Sequence, residues 1–177
     1  MRRSIAGLLT LVVLLAGCRQ LDDVVNRLKG KPAAMPDSAT VAGYYKEHRN
    51  IIDVAIDGNV VDLRVQQPVR QLLRGGALWA RVGPFVYLLS PGTRDLFERQ
   101  PGVAAVRVTT VLPDGKKVAW AQLKRDTLSE FGWKKAINLL ARALRPGATQ
   151  PRDLEELRIW GEQQTEHWYN PDYTRQR

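Results

Sequence analysis

Few side chains in this 177-residue chain have the type and spacing that chemistry requires. The chain has one cysteine, Cys18, and two histidines, His48 and His167. Glu47-His48 lacks the second histidine that a zinc protease motif needs, and His167 lies in a polar tail without a second ligand. The sequence therefore predicts no metal site and no cofactor.

The serines, carboxylates and glycines are better explained by structure than by catalysis. Ser90 and Ser129 stand where helix caps are expected, and neither lies in a Gly-x-Ser-x-Gly turn. Asp126 and Glu130 could form an acid–base pair for a glycan hydrolase, but both adjoin the start of a predicted helix. The glycines show no phosphate-binding pattern. We expect no catalytic residues, and a small cell-wall or glycan hydrolase stays as the alternative.

Positive charge is concentrated in one stretch of the chain. Residues 103–152 hold ten basic and three acidic side chains, whereas residues 153–177 hold three basic and six acidic ones. Lys134, Arg142 and Arg145 recur at helical spacing and are the candidate polyanion-binding face. Acidic lipid or an anionic envelope polymer would be the partner. The alternative is a solvated helix face whose charge the acidic final helix neutralises.

The first residues have the layout of a secretory signal peptide. Arg2 and Arg3 precede an apolar run from Ile5 to Ala16. A helix over that run is roughly 18 Å long, too short for a hydrocarbon core of roughly 30 Å. At its end, Leu15-Ala16-Gly17-Cys18 resembles the lipobox of bacterial lipoproteins.

The resemblance implies that the chain is cut before Cys18, which then carries lipid. Two or three acyl chains would anchor the protein firmly, since one chain alone binds a membrane only marginally. Arg19 stands where an aspartate commonly marks inner-membrane retention, so the resemblance implies the outer membrane, facing the periplasm. Such export also makes nucleic acid an unexpected partner. A lone cysteine excludes an intrachain disulfide, so the core must hold the domain together.

The remaining chain has the size of one domain plus a tether. Residues 1–17 are the predicted signal peptide, residues 18–39 the lipidated N-terminus and tether, and residues 40–177 a single globular domain. Apolar alternation and turn residues predict three hairpin-like pairs, over residues 51–65, 78–89 and 103–123, with one bent strand as the alternative for the second. In the first pair, a longer loop that sets Asp53 opposite Arg64 is favoured, because a shorter one sets Asp53 opposite Asp62.

Short helices are predicted near residues 39–49, 68–74 and 90–99, and two longer ones near residues 127–145 and 152–165. The expected fold class is α+β, with a mainly antiparallel sheet of about six strands and two longer C-terminal helices. In the third hairpin, pairing Leu112 with Lys116 places Trp120 on the core face, where we expect it to meet Trp133.

The C-terminal residues 167–177 are predicted to be irregular, and Trp168 lies among them. Trp168 either locks this tail onto the domain or belongs to a partner surface. Together with the lipobox, these features predict a non-enzymatic, membrane-anchored envelope lipoprotein. Its domain would bind or assemble with an envelope protein or polymer.

Overall fold

The computed structural model describes residues 33–145 and 151–174, and these form an α+β domain. The predicted fold class is confirmed at that level, although the described sheet has five strands instead of six. The helices are α1 (Ser38–Gly43), α2 (Val69–Leu88), α3 (Pro91–Arg99), α4 (Glu130–Ala143), α5 (Pro151–Gln164) and α6 (Pro171–Thr174). The strands are β1 (Ile51–Asp57), β2 (Val60–Gln66), β3 (Ala105–Val111), β4 (Lys117–Lys124) and β5 (Glu166–Tyr169). A short 3₁₀ turn, Arg125–Thr127, links β4 to α4.

The sheet is mixed, and its strands lie in the order β1-β2-β3-β4-β5. Only the β2–β3 pair is parallel, because α2 and α3 carry the chain back between these strands. In the first hairpin, Asp53 lies opposite Arg64, which confirms the register argued from charge. The strands extend to Asp57 and Val60, so only Gly58 and Asn59 form the turn, and the longer loop expected from the sequence is wrong. A bulge next to Ile52 leaves this side chain 52% exposed.

One face of the sheet packs against the helices and forms the core. Val61, Leu63, Val106, Val108 and Leu123 project from this face and are fully buried. The helices add Phe85, Leu88, Leu139 and Leu157 to the same cluster. Fully burying a side chain of this size contributes about 1.5–3 kcal/mol, so this face supplies most of the domain's hydrophobic stabilisation.

The second predicted hairpin is wrong, because residues 78–88 belong to α2 and Leu89 is its C-cap. This helix is interrupted at Gly76, whose φ of 53° and ψ of −135° are not helical. The apolar runs around Gly83-Pro84 resembled two strands joined by a turn, since short apolar runs do not distinguish strands from buried helices. Pro84 lies inside the helix instead, next to the fully buried Phe85.

The third hairpin forms at the predicted turn, where the Leu112 amide donates to the Lys116 carbonyl at 2.9 Å. However, a bulge at Val118 shifts the pairing, so that Thr110 faces Ala119 and Val108 faces Ala121. A shift of one residue moves every later side chain to the other face. Trp120 therefore leaves the core face, and its predicted contact with Trp133 is wrong.

The C-terminal part also differs from expectation. Helix α4 begins after the N-cap Ser129, whose hydroxyl accepts from the Gly132 amide at 3.2 Å. Helices α4 and α5 have 14 residues each, but α2 has 20, so the longer helices are not confined to the C-terminus. The tail expected to be irregular adds strand β5 to the sheet. Among the described helices, none has the length and apolarity needed to cross a bilayer.

Candidate binding face of the sheet

The face of the sheet opposite the helices is polar and carries two tryptophans. We call it the open face. Strand alternation places Trp120 of β4 directly opposite Trp168 of β5, and Arg107 of β3 opposite Gln122. Trp168 is 41% exposed and Trp120 is half-buried. The open face thus combines aromatic surface with planar hydrogen-bonding groups.

Arg107 is held in one position at the centre of the open face. Its Nε and Nη2 atoms donate to Gln122 Oε1 at 3.0 and 2.8 Å. Its Nη1 atom lies 3.8 Å from Asp62 Oδ2, and its guanidinium carbon lies 5.9 Å from the centre of the Trp120 ring. A guanidinium fixed by a forked hydrogen bond and an aromatic face is pre-organised, so little entropy is lost when a ligand binds to it.

A broad hollow of about 480 Å³ adjoins these side chains at the end of β4. Gln122 and Lys124 of β4 form one side, and Val60 of β2 and Ala105 of β3 form its floor. The side chains of Val60 and Ala105 are small, which leaves this hollow open next to Gln122. The open face therefore combines a tryptophan pair with a hollow at the end of β4.

The charges on the open face are balanced. The acidic side chains on this face and at its strand ends are Asp53, Asp57, Asp62 and Glu166. The basic side chains are Arg64, Arg107, Lys117 and Lys124. Lys124 Nζ lies 2.6 Å from Glu166 Oε1, which lowers the pKa of Glu166. Burial raises the pKa of Asp62 above its usual value of 3.8, although the nearby Arg107 and Lys117 oppose this shift.

The tail that carries Trp168 is anchored to the domain on the other side of β5. Tyr169 Oη donates to Glu162 Oε1 of α5 at 2.7 Å, and Asn170 Nδ2 donates to the Lys117 carbonyl at 2.9 Å. A partner surface at Trp168 stays a prediction. The tail is a structural strand, and Trp168 itself remains exposed on the open face.

The residues predicted from sequence as a polyanion-binding face lie elsewhere, on α4 and just after it. Lys134 pairs with Glu130 at 2.9 Å, and Arg142 pairs with Glu156 of α5 at 2.6 Å. Arg145 is exposed beyond the end of α4. Cys18, with the predicted signal peptide and most of the tether, lies outside the described residues. The polyanion role and the lipidation both stay predictions.

The other side chains weighed for chemistry do not converge. Ser90 is buried as the N-cap of α3, His48 is half-buried, and His167 is exposed on β5. Within the described ranges, no group of three or more histidine, cysteine or acidic residues could hold a metal ion.

Sequence reasoning missed Arg107, Gln122 and the placement of Trp120. Arg107 alternates with the apolar Val106 and Val108 in β3, which places it on the solvent side of the strand. The sequence therefore contained a signal for the position of Arg107. The bulge at Val118 that brings Trp120 beside Arg107 has no clear sequence signature.

Neither a protein-family model, nor a curated protein, nor a solved structure matches the chain.

Proposed function

We propose that this protein is a membrane-anchored lipoprotein of the cell envelope, and that its domain is a binding module whose open face holds a neutral glycan strand. The lipobox-like run ending at Cys18 supports the anchor. The observation that carries the binding role is the open face itself, where Arg107 is fixed between Trp120 and Gln122.

A glycan strand suits both chemistries of the open face. A sugar ring presents C–H groups on its flat side, and these pack well against the electron-rich face of an indole. Its hydroxyls lie around the ring edge and both donate and accept hydrogen bonds. Arg107 and Gln122 supply planar partners for these hydroxyls beside the tryptophans, and the hollow next to them accommodates ring substituents.

The balance of charge argues against two other partners. Four acidic and four basic side chains give the open face no net attraction for a polyanion. A stable protein interface has a centre depleted of charged residues, whereas charged groups run across the middle of this face. An extended neutral polymer needs neither an apolar centre nor a net charge.

The alternative function, glycan hydrolysis, would need a second carboxylate working with Asp62. Burial raises the pKa of Asp62, as a general acid would require. Asp53 and Asp57 raise the pKa of Asp62 further by charge repulsion, but both lie on β1, the edge strand of the sheet. We therefore favour binding over hydrolysis. Asp62→Asn separates the two, because it would abolish cleavage by an enzyme and leave a binding module able to bind.

The binding role is tested by sedimenting the full chain, purified in detergent, with insoluble cell-wall glycan. Trp168→Ala and Arg107→Ala should each weaken binding by about tenfold or more, as expected for the loss of a well-placed aromatic or arginine contact. Phe131→Ala is the matched control, since Phe131 is a 76% exposed aromatic side chain on α4. Equal sedimentation of all variants would contradict the glycan role. The glycan role would also be contradicted if Trp168→Ala and Arg107→Ala kept glycan binding but lost binding to an envelope protein.

The anchor is tested separately by Cys18→Ser, which should block acylation and leave an uncut precursor. Labelling cells with a fatty-acid probe reports the acylation, and fractionation reports the membrane. Normal processing of the variant would contradict the anchor. Label in the inner membrane would contradict only the proposed outer-membrane location.

A further inference from the structure

A second hollow lies on the helix-covered side of the sheet, where β2 ends. Its volume is about 300 Å³, at the lower end of the range for small-molecule pockets. Its walls come from five parts of the chain, namely the turn after α1, the end of β2, the middle of α2, β3 and Leu144 directly after α4. The residues that matter most are His48, Asn50, Gln67, Trp79, Tyr87 and Thr110.

Gln67 gives this hollow an unmet hydrogen-bonding need. Its side chain is 3% exposed, and its Nε2 atom donates to the Trp79 carbonyl at 2.7 Å. Its Oε1 atom has no partner among the described residues. Turning the amide over would leave Nε2 without an acceptor and place two oxygens together, so the deficit survives either assignment. An unpaired buried acceptor costs about 1–3 kcal/mol, which a donor from a ligand would offset.

Gly83 lies beside this oxygen and has no side chain to crowd it. A β-carbon at Gly83 would lie 3.3 Å from Gln67 Oε1 and 3.1 Å from the Thr110 methyl group. Both contacts are tighter than ordinary packing, so a side chain here would crowd the amide. Glycine at this position therefore avoids crowding the Gln67 amide.

The other groups that face the hollow are aromatic or neutral. The His48 and Tyr87 rings pack 4.9 Å apart between centroids, and Trp79 forms another wall. Burial lowers the pKa of His48 and raises that of Tyr87, so both are neutral near pH 7. Asn50 lies beside Tyr87, and the charged Glu47 and Arg49 are exposed at the rim. A charged ligand would find no buried counter-charge here.

We propose that this hollow is a binding site for a small, neutral, planar molecule that carries an N–H donor, of the primary carboxamide class. The donor bonds Gln67 Oε1, and the planar part packs between the aromatic walls. This site lies on the opposite side of the sheet from the open face and does not depend on the glycan role.

The test is a titration of the full chain in detergent with benzamide, benzoate and benzyl alcohol as probes. The NMR signals of the Gln67 amide and the Trp79 indole N–H report on the site. Benzamide should shift both signals, and benzoate, which has the same shape but a charge and no donor, should bind about tenfold more weakly or not at all. Benzyl alcohol keeps a neutral donor and should bind between the two. Absence of benzamide binding, or equal binding of benzoate, would overturn the proposal.

Two variants and a matched control locate the site. Gln67→Met removes the amide at similar volume and should abolish the benzamide response, whereas Gln122→Met makes the same change on the open face and should leave it intact. Asn50→Ala removes an exposed polar side chain from the wall beside Tyr87, where the ligand's carbonyl oxygen would accept from the Asn50 amide, and should weaken benzamide by about threefold or more. If Gln67→Met fails to fold, Asn50→Ala decides, and unchanged affinity in that variant overturns the site. Gln67→Met should still sediment with glycan, so the two proposals can fail separately.

Discussion

The two faces of the sheet use the same strands for opposite purposes. On the helix-covered face, the β3 and β4 side chains are valine, threonine, alanine and leucine, and the helices cover them. On the open face, the same two strands present Arg107, Thr109, Trp120 and Gln122. The covered face is built to exclude water, whereas the open face keeps large aromatic and planar polar groups within reach of it. A tryptophan's role in this fold is therefore decided by the face it occupies.

One extra residue in β4 decides which face Trp120 occupies. Without the bulge at Val118, continuous pairing would set Trp120 opposite Val108 in the core. With the bulge, Trp120 lies opposite Thr109 and next to Trp168, and Ala119 and Ala121 take the core positions. Bulges often re-aim side chains beside functional sites, and this one assembles the open face.

The largest expected contrast is between tryptophans on opposite sides. Trp133 is 7% exposed and its ring lies 6.3 Å from that of Phe97, so Trp133→Ala should cost about 3–5 kcal/mol of unfolding free energy. Trp168→Ala, on the open face, should cost about 1 kcal/mol or less. Trp120→Ala should fall between them. Urea unfolding of the three variants measures the order, and equal losses would show that the open face is part of the core.

The first hairpin shows what the sequence could predict. The charge argument that placed Asp53 opposite Arg64 is local, since it needs only two strands and the turn between them, and it is confirmed. The start of α3 could be predicted from equally local information, because Ser90 is its N-cap and Pro91 its first residue.

The errors arose where the answer depends on distant contacts. Residues 78–88 become helix because α2 packs against β3, β4 and α5, which no local pattern encodes. Which face each β4 side chain occupies depends on the pairing of β4 with β3 and with β5, and β5 comes from residues far along the chain. The open face could be predicted in composition, through Trp168 and Arg107, but not in its arrangement.

A smaller effect is expected at one glycine of α4 and one of α5, which sharpen the picture of the covered side. At Gly161 of α5, a β-carbon would lie 2.7 Å from Phe85 Cγ, so Gly161→Ala should destabilise the domain by about 1–3 kcal/mol through overpacking. At Gly132 of α4, the nearest atoms would be at 3.5 Å, so Gly132→Ala should stabilise it by about 0.5–1 kcal/mol. Thermal unfolding compares the pair. A stabilising Gly161→Ala would mean that α5 packs loosely over Phe85.

A still smaller effect concerns protons on the open face. The pKa of Asp62 is raised mainly by burial, so Asp62 should titrate above 3.8, whereas Asp114 in the exposed β3–β4 turn should titrate below it. Because the folded protein holds the Asp62 proton more tightly, this residue's contribution to stability falls as pH rises from 3.8 through its folded pKa. Carboxyl NMR titration checks both values. Arg107→Gln should raise the pKa of Asp62 further and leave that of Asp114 unchanged. In the wild-type protein, an Asp62 pKa below 3.8 would mean that the Arg107 contact outweighs burial.

The smallest effect is expected on the basic side chains of α4 and its end, the candidate polyanion-binding face of the sequence. Lys134 and Arg142 already have carboxylate partners, and exposed ion pairs of this kind contribute little to stability or to a net field. Reversing Lys134, Arg142 and Arg145 to glutamate should therefore leave the circular dichroism spectrum and glycan sedimentation unchanged. Binding to acidic-lipid vesicles, measured at low and at physiological salt, should change little as well. A steep, salt-sensitive loss of vesicle binding in the folded triple variant would contradict this, because it would mean that these cations leave their partners for a polyanion, and α4 would then rival the open face as the binding surface.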